Sequence, residues 1–218
     1  MKRVFAIVLI VCLAMTAVFA DKGDFKLGVQ AGYGNLAISI KKNADNYYNA
    51  SNGGFYLAAA GDYAFSDAFS GKVEFGINTM GKATARYKGT AFGFTTGEQT
   101  STASESSPMQ VSAYVGLQYN IDASKDLDLG IGAGLDMMIG KESKDDDAKT
   151  NAAMGVGFEF IAAYKLNKST SLTFGTKFGI LFINSDDDIE DAYTTASDND
   201  VKVSQTSFKI YLGLTFAL

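Results

Sequence analysis

The sequence predicts an all-β chain, an eight-stranded antiparallel up-and-down transmembrane β-barrel, on three observations. The final stretch alternates strictly: Phe208, Ile210, Leu212, Leu214, Phe216 and Leu218 fall on one face, with Lys209, Tyr211, Gly213, Thr215 and Ala217 on the other. Successive strand side chains point to opposite faces, and about eleven residues tilted near 45° cross a bilayer's hydrocarbon. Seven earlier stretches alternate in the same way, and the connections between the eight run long and short in turn. Short turns at one rim and long loops at the other are the plan of a membrane barrel.

Before the strands, Met1 to Ala20 opens with Lys2 and Arg3, stays apolar from Val4 to Leu13 and ends Val18-Phe19-Ala20 ahead of Asp21. This is the order of a secretory signal peptide, with cleavage expected after Ala20 and residues 21–218 forming the barrel. Cys12 does not mark a lipoprotein signal, because Val11 is not small and the apolar run continues past it. The mature chain then holds no cysteine, which excludes disulfides and thiol chemistry. Without Lys2 and Arg3, 17 basic residues stand against 24 acidic ones, a net charge of −7 that argues against a nucleic-acid partner. High glycine content and a single proline, Pro108, suit long strands.

The first mature stretch sets Phe25, Leu27, Val29, Ala31 and Tyr33 against Lys26, Gly28, Gln30, Gly32 and Gly34. After Asn35 the parity slips to Leu36, Ile38 and Ile40, which predicts a bulge. A polar loop is expected over 41–52. The second stretch alternates Phe55, Leu57, Ala59, Gly61, Tyr63 and Phe65 against Tyr56, Ala58, Ala60 and Asp62, with a turn from Ser66 to Gly71. The third places Val73, Phe75, Ile77 and Thr79 opposite Lys72, Glu74, Gly76 and Asn78, continuing to Tyr87 before a long loop over 89–108.

Met109, Val111, Ala113, Val115, Leu117 and Tyr119 form the apolar face of the fourth stretch, against Gln110, Ser112, Tyr114, Gly116 and Gln118. A turn is expected from Asn120 to Asp126. The fifth carries Leu127, Leu129, Ile131, Ala133, Leu135, Met137 and Ile139 against Asp128, Gly130, Gly132, Gly134 and Asp136, then a loop over 141–151. The sixth sets Met154, Val156, Phe158, Phe160, Ala162, Tyr164 and Leu166 against Gly155, Gly157, Glu159 and Lys165, and turns at Asn167 to Thr170. In the seventh, Leu172, Phe174, Thr176, Phe178, Ile180 and Phe182 face away from Thr173, Gly175, Lys177 and Gly179; a loop over 184–200 leads to the last stretch. An even count puts both ends at the short-turn rim. There Tyr63, Phe65, Tyr119, Tyr164 and Phe216 end the apolar face and form the expected aromatic girdle at the membrane interface.

A soluble lipocalin-like binder also alternates, with its apolar face inward. The second face decides between them. It is mostly Gly, Ala, Ser and Thr with scattered charges, which suits a cramped lumen, whereas a water-facing surface would be dense in Lys and Glu. The apolar face listed above carries no charge, as contact with lipid requires. With its signal, eight alternating strands and alternating connections, the chain resembles the small OmpA/OmpX-type outer-membrane barrels over its whole mature length. That resemblance implies residence in the outer membrane of a diderm bacterium and delivery by the barrel-insertion machinery; no peptidoglycan-binding domain is expected after the eighth strand, so a cell-wall tether is not implied. It also implies a role in adhesion, host or environmental interaction, or envelope integrity, through loops 41–52, 89–108, 141–151 and 184–200. A narrow porin-like channel for small solutes or hydrophobic compounds is the second reading.

Charges on the inner face are Lys26, Lys72, Lys165, Lys177 and Lys209 against Asp62, Glu74, Asp128, Asp136 and Glu159. Buried charges must be paired, so this balanced set predicts a salt-bridge network filling the lumen. The acidic runs Asp145 to Asp147, Asp186 to Asp191 and Asp198 to Asp200 fail the calcium-loop pattern, since Asp191 stands where glycine is needed and Ser197 where glutamate is. No metal or cofactor is expected. The chain has no histidine, so the usual base for acyl transfer or hydrolysis is missing and no enzymatic activity is expected.

Overall fold

The computed structural model describes residues 25–43, 46–91, 94–95, 97–106, 109–141, 150–184 and 202–218. The expected signal segment and the three acidic runs lie outside them. Twelve strands form among the described residues: β1 (Phe25–Asn43), β2 (Asn46–Ala64), β3 (Phe69–Met80), β4 (Lys82–Lys88), β5 (Thr90–Ala91), β6 (Phe94–Thr95), β7 (Gln99–Ser106), β8 (Met109–Ser124), β9 (Leu127–Lys141), β10 (Thr150–Lys165), β11 (Thr170–Asn184) and β12 (Lys202–Ala217). Eight of these close on themselves in the order β1-β2-β3-β8-β9-β10-β11-β12, with β12 pairing back onto β1, every pair antiparallel. This is the up-and-down barrel, and closure leaves its wall without an edge.

Period two sorts the wall into two faces. Leu27, Val29, Phe55, Leu57, Leu117, Ile131, Phe158, Phe160, Phe178 and Leu212 stand exposed on the outside, while Lys72, Glu74, Asp136, Glu159, Lys177 and Lys209 are buried inside. Such an inverted distribution has its apolar solvent outside the fold. Short turns join β2 to β3, β8 to β9 and β10 to β11, closed by backbone bonds such as Phe65 N to Phe69 O and Leu166 N to Thr170 O. Leu218 N bonds Phe25 O, so both ends of the described wall sit at this rim.

Four expectations are corrected. The polar stretch 41–52 is largely strand: β1 and β2 stay in register up to Lys41 opposite Tyr47 and pair again, after a one-residue shift, at Asn43 opposite Asn46. The loop 89–108 is largely strand too, since β4 pairs β7, with the small β5–β6 hairpin at its tip. Above the apolar belt neither face of the wall meets lipid, so apolar alternation fades although the ladder of hydrogen bonds continues. The turn expected at Asn120 to Asp126 shrinks to Lys125 and Asp126, because Asn120, Ile121 and Asp122 pair with Gly130, Leu129 and Asp128. No bulge follows Asn35, which pairs in register with Gly53 on one side and Phe208 on the other. Leu36 instead points inward and packs with Met138, Leu181 and Ala153.

A bulge does occur on the long-loop side. Gly54 pairs Met80, but Ser51 pairs Thr84, so one extra residue enters the β3–β4 strand around Gly81. A Cβ on Gly81 would lie 2.9 Å from the Gly53 carbonyl oxygen, so the close approach requires glycine. The extra residue reverses parity: Ile77 and Thr79 face outward below it, Arg86 and Lys88 above it.

Candidate functional site: the lumen

The inner face holds small residues because an eight-stranded barrel has little room, and it spends that room on three tyrosines. Tyr56, Tyr114 and Tyr211 are almost wholly buried. Each lies over inward glycines: a Cβ on Gly76 would meet the Tyr56 ring, one on Gly175 the Tyr211 ring, and one on Gly116 the Tyr114 hydroxyl.

Between the rings, three lysines and three carboxylates form one cluster of no net charge. Lys72 lies 2.7 Å from Glu159 and 3.8 Å from Glu74. Lys177 lies 2.7 Å from Glu74 and 3.5 Å from Glu159, and Lys209 is 3.4 Å from Asp136. Hydroxyls complete the coordination: Tyr56 donates to Glu74, Tyr211 to Glu159 at 2.5 Å and Ser207 to Asp136 at 2.7 Å. Each ammonium also faces a ring, Lys177 over Tyr114 at 3.9 Å, Lys209 over Tyr56 at 5.3 Å and Lys72 over Tyr211 at 5.6 Å. All six buried charges are thus paired, Lys72, Lys209 and the three carboxylates also take part in hydrogen bonds, and each ammonium faces a ring, which are conditions under which burial is tolerated.

The other four charges lie nearer the short-turn rim. Lys165 and Asp128 pair at 2.7 Å and are partly exposed. Lys26 stands opposite Asp62, and Asp62 opposite Lys72, in the strand register. All four line a cavity of about 720 Å³ that also reaches Lys72, Gln30, Gln118 and Asn120. Toward the opposite end, Met138 and Leu181 with Leu36 and Ala153 form an apolar cluster on one side of the lumen, and Asn78 and Gln205 are buried as well. The interior is thus open at the short-turn end, charged in the middle and partly apolar toward the long loops.

Sequence reasoning put the three tyrosines on the inner face without giving them a role. Their signal was size, since each is the bulkiest side chain among the glycines and serines of its face. The girdle residues stand at the strand ends on the short-turn side: Tyr63 pairs Phe25, Tyr119 pairs Phe69 with ring centroids 5.2 Å apart, Tyr164 pairs Leu127, Phe216 pairs Leu27, and Phe65 begins the β2–β3 turn.

No family model matches the chain, and no curated protein is similar in sequence. Among solved structures, Neisserial surface protein A superposes with a TM-score of 0.56 at 12% identity, covering 89% of this chain and 97% of that one. A major outer membrane protein from Thermus thermophilus gives 0.48 at 15% identity over 90% and 99%, and the N-terminal barrel domain of Pseudomonas aeruginosa OprF gives 0.47 at 8% identity over 90% and 100%. At such identities the likeness concerns the fold. The likeness to Neisserial surface protein A, together with the apolar outer wall and the charged interior, makes the fold of this chain an eight-stranded transmembrane β-barrel.

Proposed function

We propose that the protein resides in the outer membrane as a plugged, non-enzymatic barrel that acts through its long-loop side, in surface interaction or envelope integrity. Its signal is cut after Ala20, its insertion uses the barrel-insertion machinery, and Tyr63, Phe65, Tyr119, Tyr164 and Phe216 sit at the membrane interface. The observation that carries this reading is the blocked lumen: ion pairs bridge its walls and the Leu36, Met138 and Leu181 cluster lies beyond them. On that same side β1, β2, β4 and β7 extend the wall past the apolar belt, which gives the protein a structured surface beyond the bilayer. The absence of histidine from the sequence supports a non-catalytic role.

A narrow channel is the second reading, favoured by the 720 Å³ cavity that brings polar space as far as Lys72. Planar-bilayer conductance of the refolded mature chain separates the two, with insertion checked by gel migration that changes on boiling. Silence in inserted protein is expected. Stable unitary steps altered by Glu74→Ala or Lys177→Ala would overturn the plugged reading.

A further inference from the structure

The chamber at the short-turn end has acceptors left over once its principal donors are engaged. Lys72 bonds Glu159 at 2.7 Å, and Lys165 pairs Asp128 at 2.7 Å. Asn120 Nδ2 donates to Ser70 Oγ at 3.2 Å, Gln118 Nε2 to Asn120 Oδ1 at 2.5 Å, and the Thr173 and Thr215 hydroxyls bond each other at 3.0 Å. Gln30, Asp62 and Gln118 line the same chamber, and in each a buried side-chain oxygen has no hydrogen-bond partner. Gln30 marks the inner end and is only 5% exposed. A buried amide oxygen without a donor destabilises the site, and a ligand that donates there removes that penalty.

Charge favours the same kind of ligand. The ten inner-face charges sum to zero, and Asp67 and Asp122 line the chamber besides, at its mouth. Lys26 and Lys72 stand opposite Asp62 in the strand register, but Lys72 reaches across the lumen to Glu159 and Lys26 is exposed. Acidic walls around a low-dielectric cleft raise the local concentration of cations. Asp62 lies level with Lys26, and Gln30 follows four residues further in, about 13 Å along the strand. A short chain with an ammonium group at each end spans acceptors placed in this way. The volume of about 720 Å³ is in the range of small-molecule sites, and the Lys72–Glu159 bond closes it inward.

We infer that this chamber binds small aliphatic diammonium compounds from the short-turn side, one ammonium donating to Gln30 and the other to Asp62 and Gln118. The site is separate from the long-loop surface proposed above and rests on closure of the barrel alone. For the test, the mature chain, residues 21–218, is refolded in an uncharged maltoside detergent and titrated calorimetrically. Three probes share one four-carbon skeleton: 1,4-diaminobutane, 1,4-butanediol and succinate. The diamine is expected to bind about tenfold more tightly than the diol. Asp62→Asn should weaken diamine binding about tenfold and Gln30→Met about threefold. Asp126→Asn, in a turn outside the chamber, should leave it unchanged. Equal binding of diamine and diol would overturn the inference, as would diamine binding that survives both substitutions in the chamber. Succinate binding in place of the diamine, lost in Lys26→Gln, would make this an anion site and overturn it as well.

Heat-dependent migration is recorded on every sample. An intact shift with no diamine preference sinks this inference alone, while loss of the shift in the unsubstituted chain sinks the barrel beneath it. Should Asp62→Asn not fold, Gln30→Met keeps the length of the side chain, removes its amide and carries the same test. Unchanged diamine affinity in that variant overturns the proposal.

Discussion

Glu74→Gln is the perturbation that most directly tests the lumen. The Glu74 carboxylate accepts the Tyr56 hydroxyl, lies 2.7 Å from Lys177 and 3.8 Å from Lys72, and is buried. The amide keeps the shape and removes the charge, so the cluster changes from neutral to one excess positive charge. Breaking a buried pair by removing one partner costs about 3–5 kcal/mol, because the remaining charge loses its compensation. Lys177 keeps Glu159 at 3.5 Å and Lys72 keeps Glu159 at 2.7 Å, which places the expected loss near the lower end, about 3 kcal/mol. Denaturant unfolding of the refolded chain in lipid vesicles, followed by far-ultraviolet dichroism and tyrosine emission, measures it; no tryptophan complicates the signal. The second arm is Glu74→Gln with Lys177→Met, which removes both members and should recover at least half of the loss. A single-variant loss below about 1 kcal/mol, or strictly additive losses in the pair, would refute the idea that these charges hold each other in place.

Leu135→Arg places a charge on the exposed outer wall opposite Val115, four residues inward from the Tyr119 end of β8, and should cost about 2–4 kcal/mol in the same unfolding assay. Gly175→Ala puts a methyl group against the Tyr211 ring and is expected to destabilise by about 1–3 kcal/mol; an unchanged midpoint would mean that the ring has room to move. Asp128→Asn should cost less than about 1 kcal/mol, since its pair with Lys165 is partly exposed. High salt should narrow the gap between the wild type and Asp128→Asn, and a gap that widens there would contradict the pairing.

Where lipid bounds the wall, the sequence was legible, because contact with hydrocarbon enforces apolar residues at every second position. Phe158, Phe160, Leu212 and Ile131 are outside as their parity requires, and Lys72, Glu74 and Lys177 are inside. Legibility failed where that boundary ends. The strand over Tyr47 to Ser51 read as polar loop because neither of its faces meets hydrocarbon, although its partner over Thr84 to Lys88 was read as the continuation of the third strand. Leu36 misled in the opposite sense: an apolar residue on the inner parity was read as a shifted strand, when it was part of the cluster with Met138 and Leu181. Which charge pairs with which could not be read at all. The shortest bonds, Lys72 to Glu159 and Lys177 to Glu74, join strands that are neighbours neither in sequence nor in the sheet, and only the closed barrel brings them together.

That last property bears on what the cluster is for. Around the wall, β11 and β3 are four strands apart, so the bond between Lys177 and Glu74 spans the barrel from one side to the other. Lys72 on β3 reaches Glu159 on β10, and Lys209 on β12 reaches Asp136 on β9, each three strands away. In an open sheet with the same local pairing, Lys72 would keep Glu74 and Lys177 would keep Glu159, but the bonds from Lys177 to Glu74, Lys72 to Glu159 and Lys209 to Asp136 would all be lost. A partly closed wall inside hydrocarbon would therefore face lipid with unpaired charges, at a cost of several kcal/mol for each ion. Net stability gained over an apolar filling is small for such clusters, so the gap between closed and open states is what they enlarge. The charged lumen is then a device that makes closure and insertion one cooperative step, and the same bonds that enforce closure leave the centre of the barrel filled.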